Sequence, residues 1–298
     1  MEKTREVSEG IWLIDTCMAD VPGFTAVYAV RGSAGAALVD AGVSVSSGLI
    51  LEGLDEAGIG RDEIRYVIVT HIHLDHAGGA GYLLREFPDA CVVVAARGVH
   101  ILAEPQRLVA SARRSLGKIA DMYGDMVPIE ERRLLAAEET GVLELGGKTL
   151  RLVPTPGHAT THQCVVEETT ATLFSGDSLG IYLAEEGKVI PVTPLPDFDL
   201  EEQRRTLERL AGLDCGRTCF THFGCGGESA ALARESSHNL ELMVQAVKDG
   251  MRQDKDPKRI AGDLIRLMDV SSSYGMFMFG GMSLLNVHGI MRYLGVGR

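Results

Sequence analysis

Thr70-His71-Ile72-His73-Leu74-Asp75-His76-Ala77-Gly78-Gly79 gathers three histidines and a carboxylate within six residues, directly after an apolar run. His71 and His73 stand two apart where an extended backbone turns both imidazoles to one side. Asp75 and His76 fall where the chain turns into a helix, and adjacent residues there point apart, so this pair can serve a second point beside the first. Such a donor set suits a borderline ion such as zinc or ferrous iron. A merely solvated polar loop gives no reason for four such residues to close an apolar strand and be followed at once by Ala-Gly-Gly.

Three more donors follow apolar runs in the same manner: His158 after Val153-Pro154-Thr155-Pro156-Gly157, Asp177 after Leu173-Phe174-Ser175-Gly176, and His222 after Phe220-Thr221. Each alone is a weak signal. Together the donors number seven. A closed structural zinc site needs about four ligands, so seven point to two ions with positions left for water and substrate.

These side chains need strands to carry them. Val-, Ile- and Thr-rich runs predict strands at 25–30, 36–39, 66–70, 91–95, 149–153, 164–166, 171–174 and 218–221. Helices are predicted over 47–57, over 77–87, and over 200–211 with Asp199 as N-cap and Glu202 three residues on. Early strands follow one another too closely for helices between them while later ones do not, which suggests antiparallel and parallel pairing in two sheets. Residues 98–140 are polar and helical in pattern, a helical insertion over the core. Residues 1–235 then form one catalytic domain. Residues 236–298 form a helical C-terminal extension, with helices over 238–251, from Asp256-Pro257 to about 268, and over 283–294. Between the last two lies 271–282, rich in Met and Phe. It reads as a buried connection or as an adaptable apolar wall over a pocket.

The chain has 298 residues and a formal net charge of −12, so its average surface repels nucleic-acid backbones and anionic membranes. No apolar run approaches the roughly 20 residues of a membrane helix, and the N-terminus does not read as a signal peptide. The six cysteines then read as reduced thiols in a cytoplasm. Cys215 and Cys219 lack the companions of a zinc knuckle, and Cys225, although near His222, reads as structural.

The ordered set His71, His73, Asp75, His76, then His158, Asp177 and His222, resembles the H-x-H-x-D-H motif and later ligands of the metallo-β-lactamase-fold superfamily, across about residues 8–230. The resemblance implies an α/β fold, an αββα sandwich of two mixed sheets flanked by helices. It implies one metal on His71, His73 and His158, a second on Asp75, His76 and His222, and Asp177 between them. Leu38-Val39-Asp40-Ala41-Gly42 looks like the family's early Asp-x-Gly turn, which supports the ligands from behind. Gly176-Asp177-Ser178-Leu179 looks closest to the glyoxalase II and lactonase branches. The C-terminal extension resembles that of glyoxalase II in position, without its glutathione-binding basic residues.

The function expected is hydrolysis of a small ester, thioester or lactone by a metal-bridging hydroxide. Asp75 would orient the water and pass a proton, and Asp177 would set the metal spacing. The cofactors expected are two divalent transition-metal ions, zinc first, with iron or manganese also suited. A persulfide-dioxygenase-like oxidoreductase using one ferrous ion, a phosphodiesterase and a non-catalytic sensor are the alternatives. Arg97 and His100, Tyr182, and Tyr274 with Phe277 are candidate substrate contacts. His162 could orient a ligand or lie on a surface loop, and Asn286 and His288 sit in the last helix as core or interface residues. The partner expected is a small molecule, with no nucleic acid, no membrane and a homodimer left open.

Overall fold

The computed structural model describes residues 2–295. The chain forms two compact units. The first comprises the chain up to Pro154 together with Thr161–Gly176, and the second comprises Thr155–Thr160 together with the chain from Asp177 onward.

The first unit opens with β1 (Thr4–Ser8), β2 (Ile11–Asp15), β3 (Ala26–Gly32) and β4 (Gly35–Val39), an antiparallel meander. Helix α1 (Ser47–Glu56) then carries the chain over to β5 (Ile64–Ile68), which pairs parallel with β4. After α2 (Leu74–Ala77) and α3 (Ala80–Glu86), β6 (Cys91–Val94) continues the parallel half. After α4 (Ala96–Ala103) and α5 (Gln106–Leu116), β7 (Leu134–Ala136) does the same. Parallel neighbours require such crossovers, whereas antiparallel ones do not. The seven strands of this mixed sheet lie in sequence order. β3 and β4 have a neighbour on each side and are buried along most of their length. Ile50 and Leu54 of α1, four apart on one face, join Ile14, Val27, Leu38 and Val67 in the core. Each such side chain contributes about 1.5–3 kcal/mol on burial.

The unit continues with α6 (Ala137–Thr140), β8 (Val142–Glu144), β9 (Thr149–Pro154), β10 (Gln163–Glu167) and β11 (Thr172–Phe174), the four strands paired antiparallel in succession. The β10–β11 turn is tied by the buried Glu167 carboxylate. It accepts from the Thr169 amide at 2.9 Å, the Thr170 amide at 2.8 Å and the Thr170 hydroxyl at 2.5 Å. Burial alone would raise the Glu167 pKa, but these donors outweigh it and hold it below the ordinary glutamate value. Its contribution is therefore complete above the unfolded-state pKa of about 4.3 and is lost as pH falls through the lower folded value. Glu167→Gln should cost about 1–3 kcal/mol in urea titrations at pH 7. The gap from wild type should close as pH falls below about 4; a gap that persists unchanged under stronger acid would contradict this role.

The second unit begins with the hairpin β12 (Ile181–Leu183) and β13 (Lys188–Ile190). Helix α7 (Leu200–Leu210) follows, with the Asp199 side chain accepting from the Glu202 amide as its sequence predicts. Then come the hairpin β14 (Arg217–Phe220) and β15 (Gly224–Gly226), and the helices α8 (Ser229–Arg252), α9 (Pro257–Leu267) and α10 (Ser273–Tyr293). Asp256 caps α9 through the Lys258 and Arg259 amides, with Pro257 in its first turn. α10 packs on α9, α8 and β12. The order β11-β10-β9-β8 lies in the first unit, and β15 beside β14 in the second. The architecture is α/β, two sheets flanked by helices, with helices at the C-terminal end.

Four sequence expectations change. The insertion 98–140 is not wholly helical, because Leu134–Ala136 forms the edge strand β7, too short for its alternation to register. The boundary expected near residue 235 falls inside α8, whose first turns lack the strong apolar stripe of its later ones. Residues 271–282 are no connection: Ser273 onward is the first half of α10, tolerated despite its glycines because Met278 and Phe279 are buried. Strand β5 ends at Ile68, before the motif, because Asp40 captures the amide and hydroxyl of Thr70 and draws the chain out of the ladder.

Candidate metal centre

Asp40 lies just past the end of β4, at a positive φ of 64°. Its Oδ1 accepts from the Thr70 amide and hydroxyl, both at 2.8 Å, and its Oδ2 lies 2.8 Å from His76 Nδ1. A carboxylate only accepts, so His76 donates from Nδ1 and keeps Nε2 bare. The single hydroxyl proton of Thr70 goes to Asp40, so the Thr70 oxygen accepts from His71 Nδ1 at 3.2 Å. His71 is thereby also held with Nε2 bare. One buried carboxylate fixes the tautomers of two histidines, as metal-ligating imidazoles require.

The turn after the motif is equally constrained. The Ala41 amide donates to the His76 carbonyl at 2.7 Å and the Gly79 amide to the Gly42 carbonyl at 2.9 Å. A Cβ at Gly79 would stand 2.2 Å from the Ala41 carbonyl oxygen, so only glycine admits this approach.

His71 Nε2 and His73 Nδ1 are 2.8 Å apart, a distance at which two bare lone pairs repel unless a cation or proton lies between them. His162, expected either on a surface loop or beside a ligand, is buried and stacks on His71 with centroids 4.9 Å apart.

In the second unit, His158 Nδ1 lies 3.1 Å from the Val192 carbonyl. A carbonyl only accepts, so the proton sits on Nδ1 and Nε2 is again bare. That Nε2 is 3.3 Å from Asp177 Oδ2, while His222 Nε2 is 3.7 Å from Asp177 Oδ1. The two oxygens of one carboxylate thus face two different histidines. His222 sits in the three-residue turn joining β14 to β15, and its carbonyl accepts from the Tyr182 amide at 2.6 Å. The Tyr182 ring stacks on Phe220 at 5.0 Å. Cys219 and Cys225 face each other across this hairpin, Sγ to Sγ 3.1 Å. Burial, and then the neighbouring Cys225, push the Cys219 thiol well above the ordinary cysteine range, so it is no ready thiolate ligand.

Three overlapping groups could hold a metal ion: His71, His73 and His158; His71, His76 and Asp177; Asp75, His76 and His222. Within each, the ligand atoms lie within 4.8 Å of one another. Bonds of about 2.0–2.2 Å span about 4.4 Å at most across one ion, so separations of this order suit donors that share one. The donors are imidazole nitrogens and carboxylate oxygens with fixed tautomers, and they fit a borderline divalent ion. His71, His76, His158, Asp177 and His222 are buried, while His73 and Asp75 are half-buried.

Arg97 and His100 are exposed on α4. Tyr182 and Tyr274 are half-buried, and Phe277 is 49% exposed. A surface hollow of about 560 Å³ on the insertion, lined by Pro105, Val109, Arg113 and Met126 among others, includes none of the seven donors. Sequence reasoning missed Val192, Thr193 and the role of Asn286; the signal available was Pro191-Val192-Thr193-Pro194-Leu195-Pro196, a run poor in amide donors.

The family model described as the metallo-beta-lactamase superfamily matches residues 20–222. The chain belongs to this superfamily. The metallo-beta-lactamase fold-containing protein ST1585 of Sulfurisphaera tokodaii is 29% identical over 262 residues, 86% of this chain and 92% of that protein. The superfamily fold extends to structure: the crystal structure of ST1585 matches with a TM-score of 0.71 and 26% identity, over 95% of this chain and 98% of that one. A metallo-beta-lactamase family protein of Thermus thermophilus also reaches 0.71, at 21% identity over 97% and 94% of the two chains, a likeness of fold alone. An atrochrysone carboxyl ACP thioesterase of Aspergillus fumigatus is 28% identical over 152 residues, 51% of this chain and 36% of that protein. The fold is thus the αββα sandwich with C-terminal helices. No helix among the described residues is long and apolar enough to cross a membrane.

Proposed function

We propose that this chain is a dinuclear metal-dependent hydrolase of a small thioester, ester or lactone, in the manner of the glyoxalase II and lactonase branches. The observation that carries it is Asp177, whose Oδ2 faces His158 and whose Oδ1 faces His222, each histidine belonging to a different donor group. A carboxylate so placed can join two ions and set their spacing. His71, His73 and His158 would hold one, and Asp75, His76 and His222 the other. Two divalent ions, zinc first, would when bound supply Lewis acidity for a scissile carbonyl and lower the pKa of water toward neutrality.

The residues supply the rest. Asp75 is half-buried, and its carboxylate would orient an attacking water, take its proton and return it to the leaving group. Asp40 and Thr70 keep the His71 and His76 lone pairs directed outward from the fold's interior hydrogen bonds. Tyr182, tied by its amide to the His222 carbonyl, would donate its hydroxyl to substrate. Tyr274 and Phe277 offer apolar surface, and Arg97 and His100 exposed polar ends. The thioester reading within this class draws support from the partial likeness to an acyl-carrier-protein thioesterase.

The test is metal analysis of anaerobically purified protein together with a panel of thioesters, lactones and phosphodiesters. Two ions per chain and turnover of a thioester or lactone are expected. A single ferrous ion with oxygen consumption on a persulfide, or turnover of phosphodiesters alone, would overturn the assignment.

A further inference from the structure

We propose that Asn286 of α10 is a positioning residue for the metal centre. It clamps the Thr193 peptide, and the adjoining Val192 carbonyl then sets the ring of His158. This rests on the reading of His158 as a metal ligand.

The path is continuous within the second unit. His158 Nδ1 donates to the Val192 carbonyl at 3.1 Å, which fixes both the tautomer and the rotation of the ring. Val192 lies beyond the end of β13, in Pro191-Val192-Thr193-Pro194-Leu195-Pro196. Three of these six residues are prolines without an N–H, so the segment has few amides to place in a ladder. Something else must hold it. The Thr193 amide donates to Asn286 Oδ1 at 2.8 Å, and the Thr193 hydroxyl donates to the Asn286 carbonyl at 3.0 Å. Both residues are essentially inaccessible, Thr193 at 1% and Asn286 at 0% exposed, so neither bond competes with water.

α10 is also seated hard against this peptide. A Cβ at Gly289 would lie 1.8 Å from the Thr193 carbonyl oxygen, so the helix has no slack in which the segment could drift. Asn286 Nδ2 is buried without a hydrogen-bond partner among the described residues. An unsatisfied buried amide costs about 1–3 kcal/mol, which an apolar residue would avoid. What Asn286 supplies in return is the acceptor that Thr193 needs. Partners that orient ligating histidines typically govern metal affinity by about 10–100-fold.

The experiment measures Zn(II) affinity of the apo-protein by chelator competition, and the Co(II) visible spectrum, for wild type and variants. Val287→Ala, at a buried α10 position next door, is the control for loss of packing alone. Asn286→Ala is expected to weaken one equivalent of Zn(II) by about tenfold or more and to alter the Co(II) ligand-field bands. Val287→Ala should lower the melting temperature without either change. Thr193→Ser keeps both bonds and should bind Zn(II) as wild type does; Thr193→Val loses one and should fall between, giving a reading even where Asn286→Ala fails to fold. In a His158→Ala background, Asn286→Ala should cost no further metal affinity, whereas a role in helix packing alone predicts equal losses in both backgrounds. Unchanged Zn(II) affinity and Co(II) bands in Asn286→Ala would overturn the proposal while leaving the metal centre intact. Failure of the wild-type protein to bind Zn(II) or Co(II) at all would instead overturn the metal reading and this inference with it.

Discussion

Asp177→Ala should leave a protein that retains one metal ion of two and loses turnover by about 10³-fold or more. An ion that polarises the reacting carbonyl is worth several kcal/mol of transition-state stabilisation, and each 1.36 kcal/mol is about tenfold in rate. The carboxylate is 4% exposed, with His158 Nε2 at 3.3 Å and His222 Nε2 at 3.7 Å from its two oxygens. No other carboxylate lies in the donor group formed with His71 and His76. Alanine therefore removes an anionic ligand and brings no substitute, while the histidines around it remain. Asp177→Asn keeps one neutral oxygen acceptor and the same volume, so it should fall between alanine and wild type in metal retention. Elemental analysis after gel filtration gives the stoichiometry, and kinetics on the best substrate of the hydrolase panel give the rate. Both ions retained in Asp177→Ala, with near-normal turnover, would remove Asp177 from the role given to it.

How much of this was legible beforehand depends on the range over which each residue acts. His71, His73, Asp75 and His76 announce themselves because their chemistry is packed into six residues. The N-caps Asp199 and Asp256 were legible for the same reason, since a cap acts over three residues. β1 was missed because Thr4-Arg5-Glu6-Val7-Ser8 is an edge strand whose outer positions are polar. The end of β5 was misplaced because the competitor for the Thr70 amide sits 30 residues upstream. Asn286 was hidden most deeply. Its partner is 93 residues away, and in a helix of glycines, methionines and phenylalanines a lone asparagine carries no local pattern. The same limit explains α10 itself. Residues 271–282 look like a connection because helix propensity penalises glycine, yet burial of Met278 and Phe279 overrides propensity.

Asp40 offers the sharpest separation of fold from metal binding, because two substitutions should divide the effects. Asp40→Ala removes the acceptor of the Thr70 amide, the Thr70 hydroxyl and His76 Nδ1, each 2.8 Å from the carboxylate and all buried. Unsatisfied buried donors cost about 1–3 kcal/mol each, so a loss of about 3–5 kcal/mol is expected, read as a lowered urea midpoint of the apo-protein. Asp40→Asn is gentler on the fold. Its Oδ1 still accepts both bonds from Thr70, and its volume is unchanged. Its Nδ2, however, now presents protons to His76 Nδ1, which must become the acceptor. The His76 proton then moves to Nε2, the nitrogen left for a metal. Asp40→Asn should therefore fold within about 1 kcal/mol of wild type yet bind the ion of the Asp75–His76–His222 group about 10–100-fold more weakly. Nitrogen-15 shifts of His76 in the apo-protein report the tautomer directly, and Zn(II) titration reports the affinity. If Asp40→Asn kept the proton on His76 Nδ1 and bound both ions as tightly as wild type, the carboxylate would be a brace for Thr70 and nothing more.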